Sequence, residues 1–162
     1  MKKIIALLLC LVLTAVSLAV FAEGESDKAY VVGKGKLIVG ITDFEPMDYK
    51  DENGEWIGFD ADLARAFAEY LGVEIEFQEI DWDNKVLELN GKNIDCVWNG
   101  MTLTDEVLAA MNCSNPYANN AQIVIVPAEK AADYQTVESL AGLTFAVEAG
   151  SAGEAAAKEL GN

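Results

Sequence analysis

The chain has 162 residues, of which 27 are acidic, 11 are basic and none is histidine, giving a formal net charge of −16. So acidic a balance excludes a nucleic-acid-binding surface, which needs a basic face to neutralise phosphates, and it repels anionic membranes. Its main consequence is solubility through mutual repulsion; attraction of a cationic solute is a second.

Met1-Lys2-Lys3 opens the chain and an uncharged run follows from Ile4 to Ala22, with small residues at Val20 and Ala22 before Glu23. A basic start, an apolar stretch and a small-x-small ending predict a cleaved signal peptide over 1–22. A membrane anchor is the other reading, since such a run can just span a bilayer. The bulky Leu9 before Cys10 argues against a lipid-modified cysteine. Cleavage removes only two lysines, deepens the net charge and places the protein in the periplasm or at the cell exterior. In that oxidising setting Cys96 and Cys113 can form a disulfide or stay as two buried thiols. Without histidine, and with cysteines isolated, the paired spacing of a zinc site is missing; neither metal nor cofactor is expected.

Residues 23–35 are polar and read as an irregular linker. Lys36 to Ile41 is a short β-branched run, the first strand. Asp51-Glu52-Asn53-Gly54 signals a turn. Asp60 stands where a helix N-cap belongs, and Leu63, Phe67 and Leu71 recur at helical spacing with Ala64 and Ala68 beside them. Gly72 suits the C-cap. Val73 to Phe77 alternates apolar and acidic residues, as a half-exposed strand does. Asp83 starts a short helix ended by Asn90-Gly91, and Ile94 to Trp98 forms a third strand. Thr104 to Met111 is helical, Ser114 to Tyr117 a turn, and Gln122 to Val126 an extended apolar run closed by Pro127. A short helix over 136–141, a strand over 143–147 and a glycine-containing turn at 149–153 lead into a final helix. Alternating strands and helices predict a parallel α/β sheet, with any ligand beyond the carboxyl ends of the strands. Thr42-Asp43-Phe44 and Asn99-Gly100-Met101-Thr102 both fall there.

Leu37-Ile38-Val39-Gly40, Pro46, Gly58-Phe59-Asp60, Asp81-Trp82-Asp83, Ile94-Asp95, Trp98 to Thr102, Thr104-Asp105-Glu106, Ser114-x-Pro116-Tyr117 and Gln122 follow one another in a specific order. Together they resemble the extracytoplasmic solute-binding proteins of amino-acid ABC transporters (bacterial family 3, type II periplasmic-binding fold). The resemblance implies two α/β lobes with parallel sheets, the second incomplete: lobe 1 over 36–118, a crossover over 119–127 and the start of lobe 2 over 128–162. It implies a monomer that binds an amino acid or a related small polar or cationic solute between the lobes and delivers it to an ABC permease. Phe44 and Phe59 would wall the pocket. Gly100 would offer its carbonyl to an ammonium, Thr102 its amide and hydroxyl to a carboxylate, and Ser151 and Ala152 their amides at a helix N-terminus. Asp43, Asn99 and Glu148 would complete the rim. Family members carry an arginine where Val107 stands here, and the chain's one arginine, Arg65, lies on an earlier helix, expected to face solvent. No catalytic residue stands out; an enzyme of the same fold, dehydratase-like, and a sensor input domain are the alternative readings.

Overall fold

The computed structural model describes residues 26–160; the expected signal segment 1–22 lies outside them. A first helix, α1 (Asp27–Lys34), begins at Ser26, whose hydroxyl accepts from Ala29 N at 3.2 Å, and ends at Gly35 in the left-handed region (φ 75°). The stretch read as an irregular linker is therefore mostly helical. Only Val31 of it is buried, so the apolar periodicity was too weak to read, and the capping pair Ser26 and Gly35 was the available signal.

β1 (Lys36–Ile41) follows, then a small antiparallel hairpin of β2 (Tyr49–Lys50) and β3 (Trp56–Ile57). The hairpin closes through the expected turn, with Asp51 Oδ1 accepting from Asn53 N and Glu55 N. Next come α2 (Phe59–Leu71), β4 (Glu74–Glu79), a single 3-10 turn at Trp82–Asn84, α3 (Lys85–Asn90), β5 (Cys96–Val97) and α4 (Asp105–Ala110). The sheet order is β4-β1-β5, all parallel. β5 is shorter than the predicted 94–98 strand, although Asp95 N and Trp98 N still donate to Ile38 O and Gly40 O of β1.

Leu37, Val39 and Ile41 of β1 are buried, and α2 covers them with Ala61, Ala64 and Ala68 rather than with its large residues. Of the predicted apolar stripe, Ala64, Ala68 and Leu71 meet the core, while Leu63 and Phe67 sit at its rim; Phe67 packs edgewise on Trp98. Small side chains bring the helix close to the sheet, and dense contact at short range offsets their modest apolar area. Gly40 serves the same closeness, since a Cβ there would stand 2.6 Å from Ile94 Cδ1. Arg65, expected to face solvent, is half-buried: it donates to the Trp56 carbonyl, pairs with Asp62 and lies 4.9 Å over the Phe77 ring. It fastens the hairpin to α2.

The C-terminal part is thinner. Short 3-10 turns at Ala128–Asp133 and Val137–Leu140 precede α5 (Ala152–Glu159). The strands predicted over 122–126 and 143–147 carry no ladder. A strand needs a neighbour to take its N–H and C=O groups, and none stands beside them among the described residues. Ile123 and Ile125 are left 79% and 89% exposed. A hollow of about 280 Å³ opens between Leu143–Val147 and α5.

Gly58 is the tightest joint of the fold. Its φ is 119°, and a Cβ there would lie 2.3 Å from Met47 O. Gly58→Ala is expected to lower unfolding free energy by roughly 2 kcal/mol or more in urea denaturation; a change below about 0.5 kcal/mol would show that the joint relaxes freely.

Candidate functional site

β1 lies between β4 and β5, so the two crossovers diverge around it and leave a crevice at the carboxyl ends of β1 and β5. Two loops meet over that crevice. Thr42 and Asn99 are buried and joined: Asn99 Nδ2 donates to Thr42 Oγ1 at 2.8 Å and Thr42 N to Asn99 Oδ1 at 3.3 Å. With the Asn99 amide rotated by half a turn, Nδ2 instead reaches Asp48 Oδ2 at 2.5 Å and the Thr42 carbonyl, while Oδ1 accepts from Thr42 Oγ1. In either orientation Asn99 is buried and stitches the two loops together. One residue on, the Phe44 ring lies against Gly100, where a Cβ would stand 2.5 Å from Phe44 Cε1. Only glycine permits that approach.

Thr102 marks the outer end of the shelf. Its hydroxyl oxygen accepts from Asn120 Nδ2 at 2.6 Å and from Gln122 Nε2 at 3.3 Å, which leaves its own proton to donate. The Gln122 side-chain oxygen Oε1 lies 3.3 Å from where a Cβ on Gly153 would be, so α5 comes within reach of the same shelf. Ser151 caps α5, accepting from Glu154 N at 3.1 Å, and Glu154 Oε2 accepts from Gly150 N at 2.8 Å. Ser151 N points back to the Glu148 carbonyl at 3.3 Å. The predicted pair Ser151 and Ala152 thus stands at a real helix start whose first amides are already partly engaged by their own turn.

Phe59 is half exposed and stacks on Tyr117, centroids 6.3 Å apart and planes 24° apart. With Phe44, also half exposed, they form an aromatic border; the sequence gives Tyr117 a place in a turn and in the family pattern but no role at the site, and does not single out Asn120. Phe59 begins α2, with Gly58 as N-cap. Asp60, expected as that cap, is instead inside the first turn. The turn's free amides are met by backbone: Phe59 N and Asp60 N donate to Pro46 O and Met47 O, leaving a side-chain cap nothing to do.

Two carboxylates, Asp48 and Asp60, are fully buried below this border. Asp48 Oδ1, both Asp60 oxygens and Trp98 Nε1 lack well-formed hydrogen bonds. Burial raises the Asp60 pKa, while the nearby Tyr117 hydroxyl and Trp98 indole pull it back without completing such bonds. Burial first, then the Asp60 charge, pushes Asp48 up to about 7 against the pull of the Ala61 amide. Two such groups share the cost of charge, and their titration belongs to the pair.

Asp43 is exposed beside Phe44. Glu148 feels Lys85 and Asp81: partial burial raises its carboxyl, Lys85 lowers it and Asp81 raises it. Val107 is buried in the first turn of α4, its N–H on Thr104 Oγ1 at 3.2 Å. Cys96 and Cys113 are both free, so the disulfide raised as an option is absent. Cys96 packs into the core, where burial pushes its thiol up to about 12, and Cys113 donates to the Met111 carbonyl. Among the described residues no cluster of three or more His, Cys, Asp or Glu could hold a metal ion, and no helix is long and apolar enough to cross a membrane.

A parallel sheet in this order, with a polar shelf at its switch point, matches known proteins along most of its length. The family model for the bacterial extracellular solute-binding proteins, family 3, covers residues 37–155, and the chain belongs to that family. It is 36% identical over 154 residues to the arginine-binding extracellular protein ArtP of Bacillus subtilis (strain 168), covering 94% of this chain and 59% of ArtP. Among solved structures it resembles the ancestral amino acid-binding protein AncCDT-1, described as a precursor of cyclohexadienyl dehydratase. That match has a TM-score of 0.78 at 37% identity, over 83% of this chain and 61% of that one. A mutant of domain 1 from TmArgBP in its arginine-bound form matches with a TM-score of 0.54 at 39% identity, over 56% of this chain and 71% of that one. The fold is that of type II periplasmic-binding proteins with an incomplete second lobe. The chain spans about half to three-fifths of the length of the curated relatives it matches.

The buried pair gives a pH dependence with a definite sign. Folded Asp48 holds its proton more tightly than the unfolded chain does, so stability from this group is fullest below about pH 4. It falls as pH rises toward about 7, then levels off. Asp48→Asn is expected to remove that slope and exceed the parent by roughly 1–3 kcal/mol at pH 8 in urea midpoints. Parallel curves for parent and variant would contradict the assignment.

Proposed function

We propose that this chain is the solute-binding component of an amino-acid ABC importer, acting outside the cytoplasm as a monomer and taking an amino acid or a related small polar or cationic solute. The observation that carries the reading is the shelf itself. The Phe44 ring rests on Gly100, the Thr102 hydroxyl is oriented by Asn120 and Gln122, and Phe59 and Tyr117 stand as the wall. An ammonium meets carbonyls there, a carboxylate meets the Thr102 hydroxyl and amide with the α5 turn opposite, and a side chain lies against the rings. The relatives support this, since ArtP binds arginine and one domain of TmArgBP has an arginine-bound form.

The chemistry favours a basic solute. Val107 supplies no guanidinium for a carboxylate, and the single arginine is committed to the hairpin, so the amino-acid head is held mainly by neutral donors. Aromatic faces, Asp43 at the rim and the acidic surface act instead on a cationic side chain. The enzyme reading draws support from the dehydratase named beside AncCDT-1. Against it, Asp48, the carboxyl poised near neutrality, is fully buried and out of a solute's reach.

A thermal-shift screen over the twenty amino acids tests the reading. Arginine and lysine are expected to raise the melting temperature more than aspartate and glutamate do. Saturation at about a hundred times Kd adds about 2.7 kcal/mol. No response to any amino acid would sink the proposal; conversion of one by the chain would favour the enzyme. Val107→Arg is expected to tighten amino-acid binding by about tenfold or more in calorimetric titration, through a bidentate fork on the carboxylate. Unchanged or weaker affinity in a variant that melts like the parent would place the side chain away from the solute.

A further inference from the structure

Lys85 takes no part in the shelf, yet only 8% of it is exposed. It opens α3, and its ammonium lies 4.8 Å from the centre of the Trp82 ring. Two carbonyls hold it: Trp82 O in its own turn at 3.1 Å and Gly150 O, 65 residues further along the chain, at 3.0 Å. A charge withdrawn from water is costly unless its donors are met, so these two acceptors fix where the ammonium can rest.

Independent features show the same seam. Gly150 has φ 69°, and a Cβ on it would lie 2.5 Å from Asp83 Oδ1 and 2.9 Å from Asp83 Cα. The C-terminal turn therefore lies flush on the 3-10 turn that precedes α3. Glu148, next to that turn, feels both the Lys85 ammonium and the Asp81 carboxylate. On its far side the same turn starts α5, where Gly153 approaches Gln122, the residue that donates to Thr102. A peptide's carbonyl and its N–H point in opposite directions in one plane, so holding Gly150 O also fixes how the next amide faces.

We propose that Lys85 is the positioning residue of the solute site: its ammonium clamps the Gly150 carbonyl and so sets the start of α5 against the Thr102 shelf at the spacing a bound amino acid bridges. The inference rests on the amino-acid-binding reading above. A methionine at 85 keeps the stem and removes the donors; an arginine keeps donors and charge. Without the clamp the start of α5 rides free of the shelf, and a solute must restore that order itself before it can bridge the two.

Two measurements on the full chain test it, one without solute. In amide hydrogen exchange, Lys85→Met is expected to lose protection over 148–156 while β1 and β4 keep theirs, and Lys85→Arg to retain it. In calorimetry with L-arginine, Lys85→Met is expected to bind about tenfold or more weakly than the parent, and Lys85→Arg within about threefold. Unchanged protection in Lys85→Met would overturn the clamp. Lost protection with unchanged L-arginine affinity would leave a seam but overturn its role in positioning, as would failure of Lys85→Arg to restore affinity. If the parent binds neither L-arginine nor any other amino acid, the functional reading falls, and the positioning role with it, while the exchange result still decides whether the seam exists.

Discussion

Two loop ends held in close contact over a central strand govern the rest of this molecule. Thr42 follows β1 and Asn99 follows β5, and each is buried with the other as its partner. Either one alone would leave a polar group stranded in the interior, at a cost of about 1–3 kcal/mol. Their pairing permits Phe44 to settle on Gly100, and that in turn shapes the surface a solute would meet. Behind them, the alanine face of α2 and the bare Gly40 let helix and strands draw near enough for the loops to touch at all. Backbone proximity, achieved with small residues, is what the sequence specifies most strongly.

The same compactness traps acid. Asp48 and Asp60 sit sealed beneath the aromatic border, and one proton between them relieves the repulsion of two buried like charges. Burial raises the Tyr117 hydroxyl's pKa first, and the neighbouring Asp60 and Asp48 carboxyls raise it further. In the proposed function the absence of a guanidinium at Val107 and the acidic surface push solute preference in one direction.

Much of the first lobe was legible because its signals are local. Gly72 ends α2, Asn90-Gly91 ends α3 and Thr104 caps α4, and each is a short-range rule that tertiary packing left intact, as is the Ser151 cap of α5 further along. The parallel order followed from the strand-helix alternation, and the crevice from the order. Other features depended on partners that a one-dimensional reading lacks. Asp60 looked like a cap, but the carbonyls of Pro46 and Met47 arrive from a preceding loop and take the amides first. Of the apolar stripe on α2, Ala64, Ala68 and Leu71 meet the core while Leu63 and Phe67 fall at its rim, because small residues give the closest approach. The runs over 122–126 and 143–147 have strand-like sequences but, among the described residues, no neighbour to bond. At the site, Phe44, Phe59, Gly100 and Thr102 were nameable from position and resemblance. Asn120 and Tyr117 were not, since their roles come from side chains that meet across some twenty to sixty residues.

The most direct test of the account is to follow backbone amide resonances of the labelled chain as L-arginine is added. The account predicts that the largest shifts fall on residues 42–48, 99–102 and 117–122, the stretches that build the shelf, with smaller ones at the start of α5. Shifts confined to the hollow lined by Leu143 to Val147 and α5, or none at saturating solute, would contradict it.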